Sequence, residues 1–194
     1  MQDELDQVTD WLLCASSHIT APYFHLPVAN MGDPADRERV YCYELYHHWR
    51  NHWPDYFPFS LNGEVDKKKH PYIPNSKKPD FLVHIPSQMT NISNLLIMEV
   101  KPANTGLKPG GLKEMVDDIE KLVYFRSKLL ENGNPCNYRA AYFWLYHMEI
   151  GEWPNLRAKL LQGIKKRITD FDRNLIKCFI HPAPGVRASV VSWD

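Results

Sequence analysis

A chain of 194 residues, 44% hydrophobic and 24% charged, has room for one domain with a sizeable core, is short for two, and excludes disorder on a large scale. Its 23 basic and 23 acidic residues cancel, so there is no global electrostatic case for nucleic acid. No apolar run approaches the roughly 20 residues of a membrane helix, the start Met1-Gln2-Asp3-Glu4 is acidic where a signal peptide is basic, and the four cysteines are widely spaced without a CxxC pair, so a cytoplasmic protein with reduced, mostly buried thiols is expected.

Apolar positions at Leu5, Val8, Trp11, Leu12 and Ala15 predict a first helix over 3–18, followed by a proline-rich connector over 22–34. Asp33 or Asp36 can cap a second helix over 37–52, with Val40, Tyr43, Leu45, Tyr46 and Trp49 on its apolar side and Glu44 in its middle. Asn62-Gly63 is a turn signal, and a first strand is read over 63–67. The second strand covers 81–85 and a polar loop 86–94; the third strand, over 95–101, is dense in apolar residues, as a central strand is. Pro102 lacks a backbone N–H, so it is expected to end this strand and open a loop over 102–111, placed to close over a ligand. An amphipathic helix over 112–130, a strand over 139–150, a helix over 154–170, a strand over 175–181 and an edge strand over 186–193 complete an α/β sandwich with a mixed sheet. A single domain over 1–194 is expected, with an N-terminal helical extension over 1–36, a core over 37–150 and a C-terminal helix and strands over 151–194.

Asp80 opens the second strand, and Glu99 and Lys101 lie two apart at the end of the third, where alternation places them on one face. The nineteen residues from Asp80 to Glu99 fit two adjacent strands joined by a loop, so the three groups can converge. Paired carboxylates suit a hard divalent cation, and a neighbouring lysine can orient a metal-bound water or offset charge on a phosphodiester under attack. Taken singly, Asp80 is also an ordinary turn residue, and Glu99 with Lys101 an ordinary strand-end ion pair.

The run Pro79-Asp80 followed by Glu99-Val100-Lys101 resembles the PD-(D/E)xK nuclease superfamily over about residues 37–145. The resemblance implies a restriction-endonuclease-like three-layer sandwich of core order αβββαβ. It implies a nuclease dependent on Mg²⁺ or Mn²⁺, acting on DNA rather than RNA and serving in restriction or phage defence. Asp80, Glu99 and the carbonyl of Val100 would bind the metal, with Lys101 positioning the attacking water. Glu44, from the helix before the first core strand, would be a further ligand or hold a ligand water, and Glu64 could supplement or replace it. A homodimer or a larger defence assembly is open, since one site normally cuts one strand.

Bland readings stand beside these. Glu44 can bond Arg39, His48 or a backbone group, Glu64 can be a hairpin surface acid, and Asp117, Asp118 and Lys121 read more readily as a solvated helix face. His48 and His52 have zinc-ligand spacing but no evident third ligand, so surface or capping histidines are expected. Two non-enzymatic readings remain: a catalytically silent subunit of the same fold that binds nucleic acid or a partner protein, and an interaction module using Trp49, Trp53, Trp144 and Trp153.

Overall fold

The computed structural model describes residues 3–27, 36–63, 78–88, 90, 92–127, 133 and 137–194. Three helices come first, α1 (Glu4–Ser16), the single turn α2 (Ala21–Phe24) and α3 (Glu38–Arg50). Strands β1 (Ser60–Gly63), β2 (Phe81–His84) and β3 (Asn94–Pro102) follow, then α4 (Gly111–Ser127) and β4 (Ala140–Tyr146). Helices α5 (Trp153–Ile164) and α6 (Asp170–Asn174) lead to β5 (Ile176–His181) and β6 (Ser189–Val191). From α3 to β4 the chain runs helix, three strands, helix, strand, the order expected from its periodicities.

The strands form one six-stranded sheet in sequence order. β1, β2 and β3 are antiparallel neighbours, β3, β4 and β5 are parallel, and β6 closes the edge antiparallel to β5. A parallel pair needs a crossover, and α4 supplies it between β3 and β4 as α5 and α6 do between β4 and β5. The central strands are buried on both faces: all seven residues of β4 and eight of the nine of β3 are buried.

Alternation along the strands divides the interior in two. Met98, Val100, Tyr142 and Trp144 pack with Val8 and Leu12 of α1 and with Leu45 and Trp49 of α3. Ile97, Ala141, Phe143 and Leu145 pack on the other face with Met115, Ile119 and Leu122 of α4 and Leu156 and Leu160 of α5. Helices thus flank a mixed sheet on both sides, each fully buried aliphatic side chain contributing about 1.5–3 kcal/mol by leaving water. Tyr41 fixes α3 in place: its hydroxyl accepts from Trp144 Nε1 and lies 2.7 Å from His181 Nδ1, and its ring stacks on Tyr146. Burial lowers the pKa of His181 to about 4, so this ring is neutral at pH 7.

Several boundaries differ from those read in the sequence. β1 ends at Gly63, and most of the strand expected over 63–67 lies outside the described residues. Pro102 belongs to β3 as its last residue, paired with Tyr146, because at a strand's end the missing N–H costs no further ladder bond. The fourth strand stops at Tyr146, since His147 takes a positive φ of 62° that no strand continues. The helix expected over 154–170 ends at Ile164, and a separate short helix starts at Asp170, where the Thr169 hydroxyl accepts the Asp172 N–H. Trp49, Trp53, Trp144 and Trp153 are all buried, which removes the tryptophan face expected of an interaction module. Cys42 and Cys178 are buried cysteines not joined in a disulfide.

The segment after β3 is a packed 3₁₀ turn over Ala103–Leu107 rather than an open loop. It seats against the start of α4 so closely that a Cβ at Gly111 would overlap the Thr105 carbonyl. Gly111→Ala is expected to lower stability by about 1–3 kcal/mol through overpacking, measured by urea unfolding; an unchanged midpoint would show that this junction yields freely.

Candidate metal centre

β2 and β3 pair with Phe81 opposite Met98 and Leu82 opposite Ile97, so Asp80, one residue ahead of β2, comes level with Glu99. The same alternation that turns Ile97 and Leu82 toward α4 turns Asp80, Glu99 and Lys101 that way. Asp80 Oδ2 accepts the Val100 N–H at 2.7 Å, which locks its carboxylate beside the central strand. Glu99 is 1% exposed, a charged side chain on the buried face of the sheet.

Two lysines and two further acids enclose this pair. Lys121 of α4 places Nζ 2.8 Å from Glu99 Oε2, 3.0 Å from Asp118 and 3.3 Å from the Lys78 carbonyl, using its three donors. Lys101 places Nζ 2.9 Å from Glu38 in the first turn of α3 and 3.4 Å from Asp118. The network therefore ties α3, β3 and α4 together around the carboxyl end of β3, the end of a parallel sheet where ligands bind in α/β folds.

Four carboxylates (Glu38, Asp80, Glu99, Asp118) face two ammonium groups (Lys101, Lys121), a formal charge of −2. Burial first, and then the Glu38 charge, raise the pKa of Asp80 to about 6 against the opposing pull of the Val100 N–H and the two lysines. Burial and the Asp80 charge push Glu99 well above the ordinary carboxylate range. Burial works against the charge of Lys101, but Asp118 and Glu38 outweigh it and raise its pKa, and Glu99 and Asp118 do the same for Lys121. Glu99 Oε1 is buried without a hydrogen-bond partner. An orphaned carboxyl oxygen beside a second carboxyl, among more acids than bases, fits one divalent cation.

Asp80, Glu99 and Lys101 thus converge as their spacing predicts. Lys121 and Asp118 differ from the solvated helix face expected of them, because both turn into the cluster and are largely buried, while Asp117 pairs outward with Lys113 and Arg167. Glu44 lies 3.1 Å from His48 Nε2, the side-chain pairing weighed against a metal role. Glu38 is the acid that α3 contributes; six residues apart, the two point about 120° from each other around the helix. Glu38 was missed because an acid in a first turn reads as a dipole partner. Glu64 lies outside the described residues. Val100 supplies its N–H to Asp80. His48 and His52 have His18 as neighbour, with ring centroids 5.5 and 6.4 Å away.

No family model, no curated protein and no solved structure matches this chain.

The raised pKa of Asp80 sets a pH dependence. A carboxyl at about 6 in the fold against an ordinary 3.8 contributes stability that is full below about pH 3.8 and is lost as pH rises through about 6. In chelator, Asp80→Asn is expected to match wild type near pH 3.5 and to exceed it at pH 7 by about 2–3 kcal/mol in urea unfolding. A variant less stable than wild type at pH 7 would mean that the Asp80 charge is fully compensated by its neighbours.

Proposed function

We propose that the protein is a metal-dependent nuclease of the restriction-endonuclease-like fold, hydrolysing phosphodiester bonds, in DNA rather than RNA. The observation that carries this reading is the buried Glu99 carboxyl with one oxygen unpartnered, level with Asp80 and held by Lys121, with Lys101 two residues on along the same face of β3. The preference for DNA and the restriction or phage-defence role, in a homodimer or larger assembly, rest on the Pro79-Asp80 and Glu99-Val100-Lys101 resemblance.

Asp80, Glu99 and the Val100 carbonyl are the assigned ligands. An Mg²⁺ or Mn²⁺ ion bound there supplies Lewis-acid activation of a water and charge neutralisation on the phosphate. The Val100 N–H holds Asp80 in place, and Lys121 holds Glu99 through Oε2, leaving Oε1 free to coordinate. Lys101, kept protonated by Asp118 and Glu38, would act as a donor rather than a base, orienting the attacking water and offsetting charge at phosphorus as the new P–O bond forms and the P–O3′ bond breaks, with the water's proton passing to solvent and the leaving O3′ taking its proton from solvent. A cavity of about 440 Å³ lined by Tyr43, Tyr46, Asn62 and Gly63 opens on Asp80. Tyr43 is largely exposed on its wall and offers a face on which a nucleobase can stack.

A silent nuclease-fold subunit is the second reading, favoured by one fact: both lysines already have carboxylate partners within 3.4 Å, as in a purely structural network. Cleavage of labelled single- and double-stranded DNA and RNA, with Mg²⁺, Mn²⁺ or chelator, separates the two. Asp80→Ala, Glu99→Ala and Lys101→Ala are each expected to lower metal-dependent cleavage on the order of 100-fold or more while circular dichroism stays that of wild type. Folded wild type without cleavage under either metal would favour the silent subunit.

A further inference from the structure

Past the C-terminal ends of the parallel strands lies a second group of side chains that the proposed hydrolysis does not use. His25 follows α2, Asp36 lies two residues ahead of Glu38, and His147 is the first residue after β4. Their ligand atoms lie within 4.8 Å of one another, with Asp36 Oδ1 3.1 Å from His25 Nδ1 and 3.2 Å from His147 Nδ1. The Asp36 side chain is only 6% exposed. At those distances hydrogen bonds are expected, yet Asp36 Oδ1 has none, and neither does the buried Nδ1 of His147. A buried carboxylate oxygen is therefore pressed against two ring nitrogens, neither of which is aligned to donate to it.

We propose that His25, Asp36 and His147 form a binding site for a divalent transition-metal ion of the zinc class, with water completing the coordination. Two imidazoles and a carboxylate are the donor set of such ions, whereas the oxygen-only Asp80–Glu99 pair suits magnesium. Donors about 2.0–2.1 Å from a tetrahedral centre stand about 3.3 Å apart, close to the separations of Asp36 Oδ1 from the two ring nitrogens. The supporting contact is that of a metal site. Asn104 Nδ2 donates to Asp36 Oδ2, which orients the carboxylate and leaves Oδ1 facing the histidines.

The His147 backbone is held at φ 62°, a strained conformation for a non-glycine residue, by a geometry that includes its N–H bond to the His181 carbonyl. His147 and Asn104 also line a cavity of about 500 Å³, giving water and ions access to this end of the sheet. Bound metal would clasp the connector ahead of α3 to the end of β4. It would thereby fix Asp36 near Glu38, the partner of Lys101.

The inference stands apart from the nuclease reading and is tested without any activity assay. The full chain is titrated with Co²⁺ and followed by visible absorption and calorimetry, beside His25→Ala, His147→Asn and the double variant Asp80→Asn/Glu99→Gln. Asparagine is chosen at 147 because it tolerates positive φ, and His25→Ala, at a partly exposed position, serves if His147→Asn does not fold. Wild type is expected to bind one equivalent with ligand-field bands that Zn²⁺ displaces. Each histidine variant is expected to bind about 100-fold more weakly or worse, since losing a ligand exceeds the 10–100-fold cost of losing a supporting contact. The Asp80/Glu99 double variant is expected to keep the bands. Folded wild type without bands, bands that survive both histidine substitutions, or bands lost in the double variant instead would each overturn the proposal.

Discussion

The burial of Glu99 is the constraint around which this structure is organised. A carboxylate in the middle of a sheet sandwiched by two apolar layers costs several kcal/mol unless charge or hydrogen bonds compensate it. Compensation comes from Lys121, which brings Asp118, which in turn helps hold Lys101, which brings Glu38. Each added partner is itself half-buried and needs another. The chain of pairs ends with more acids than bases, and replacing Glu99 with an apolar residue would satisfy packing more simply. Retaining a buried, undercompensated carboxylate makes sense if something else completes the charge.

The fold delivers these groups to one place through three unrelated devices. Antiparallel pairing of β2 with β3 sets Asp80 level with Glu99, and the Val100 N–H fixes its orientation. The return of the chain through the 3₁₀ turn, locked where Gly111 meets Thr105, lays α4 over the same face so that Asp118 and Lys121 descend onto β3. On the opposite side of the sheet, Tyr41 anchors α3 through Trp144 and His181, which brings Glu38 to the strand end where Lys101 can reach it. Packing on both faces thus converges on the carboxyl end of β3. The same edge gathers His25, Asp36 and His147, so two differently built groups of potential ligands share one end of the sheet.

Much of this was legible in the sequence where a period or a spacing carried it. Strict alternation placed Glu99 and Lys101 on one face, and the apolar density of 95–101 marked a central strand. The three-strand order between two helices followed from the same patterns. Local reading stopped where contacts are long-range. Nothing near Glu38 says that it meets a lysine 63 residues away, and Asp118 and Lys121, spaced like any surface i,i+3 pair, turn inward only because α4 crosses the site. The three residues His25, Asp36 and His147 are separated by a proline-rich connector and most of the core, so no spacing could join them. Boundaries were least legible where one residue decided them, through its backbone φ at His147 and its side chain at Thr169.

If Asp80 and Glu99 hold a divalent cation that completes their charge, as proposed, binding must be accompanied by proton release. Both carboxyls have raised pKa values in the metal-free fold, and ligands must be ionised, so a metal bound there displaces protons. Calorimetric titration of Mn²⁺ at pH 6 in buffers of different ionisation enthalpy measures that release. Wild type is expected to bind with net proton release, and Glu99→Gln to lose both. Binding without proton release, or no binding by folded wild type, would contradict it and leave the cluster as a structural network of ion pairs.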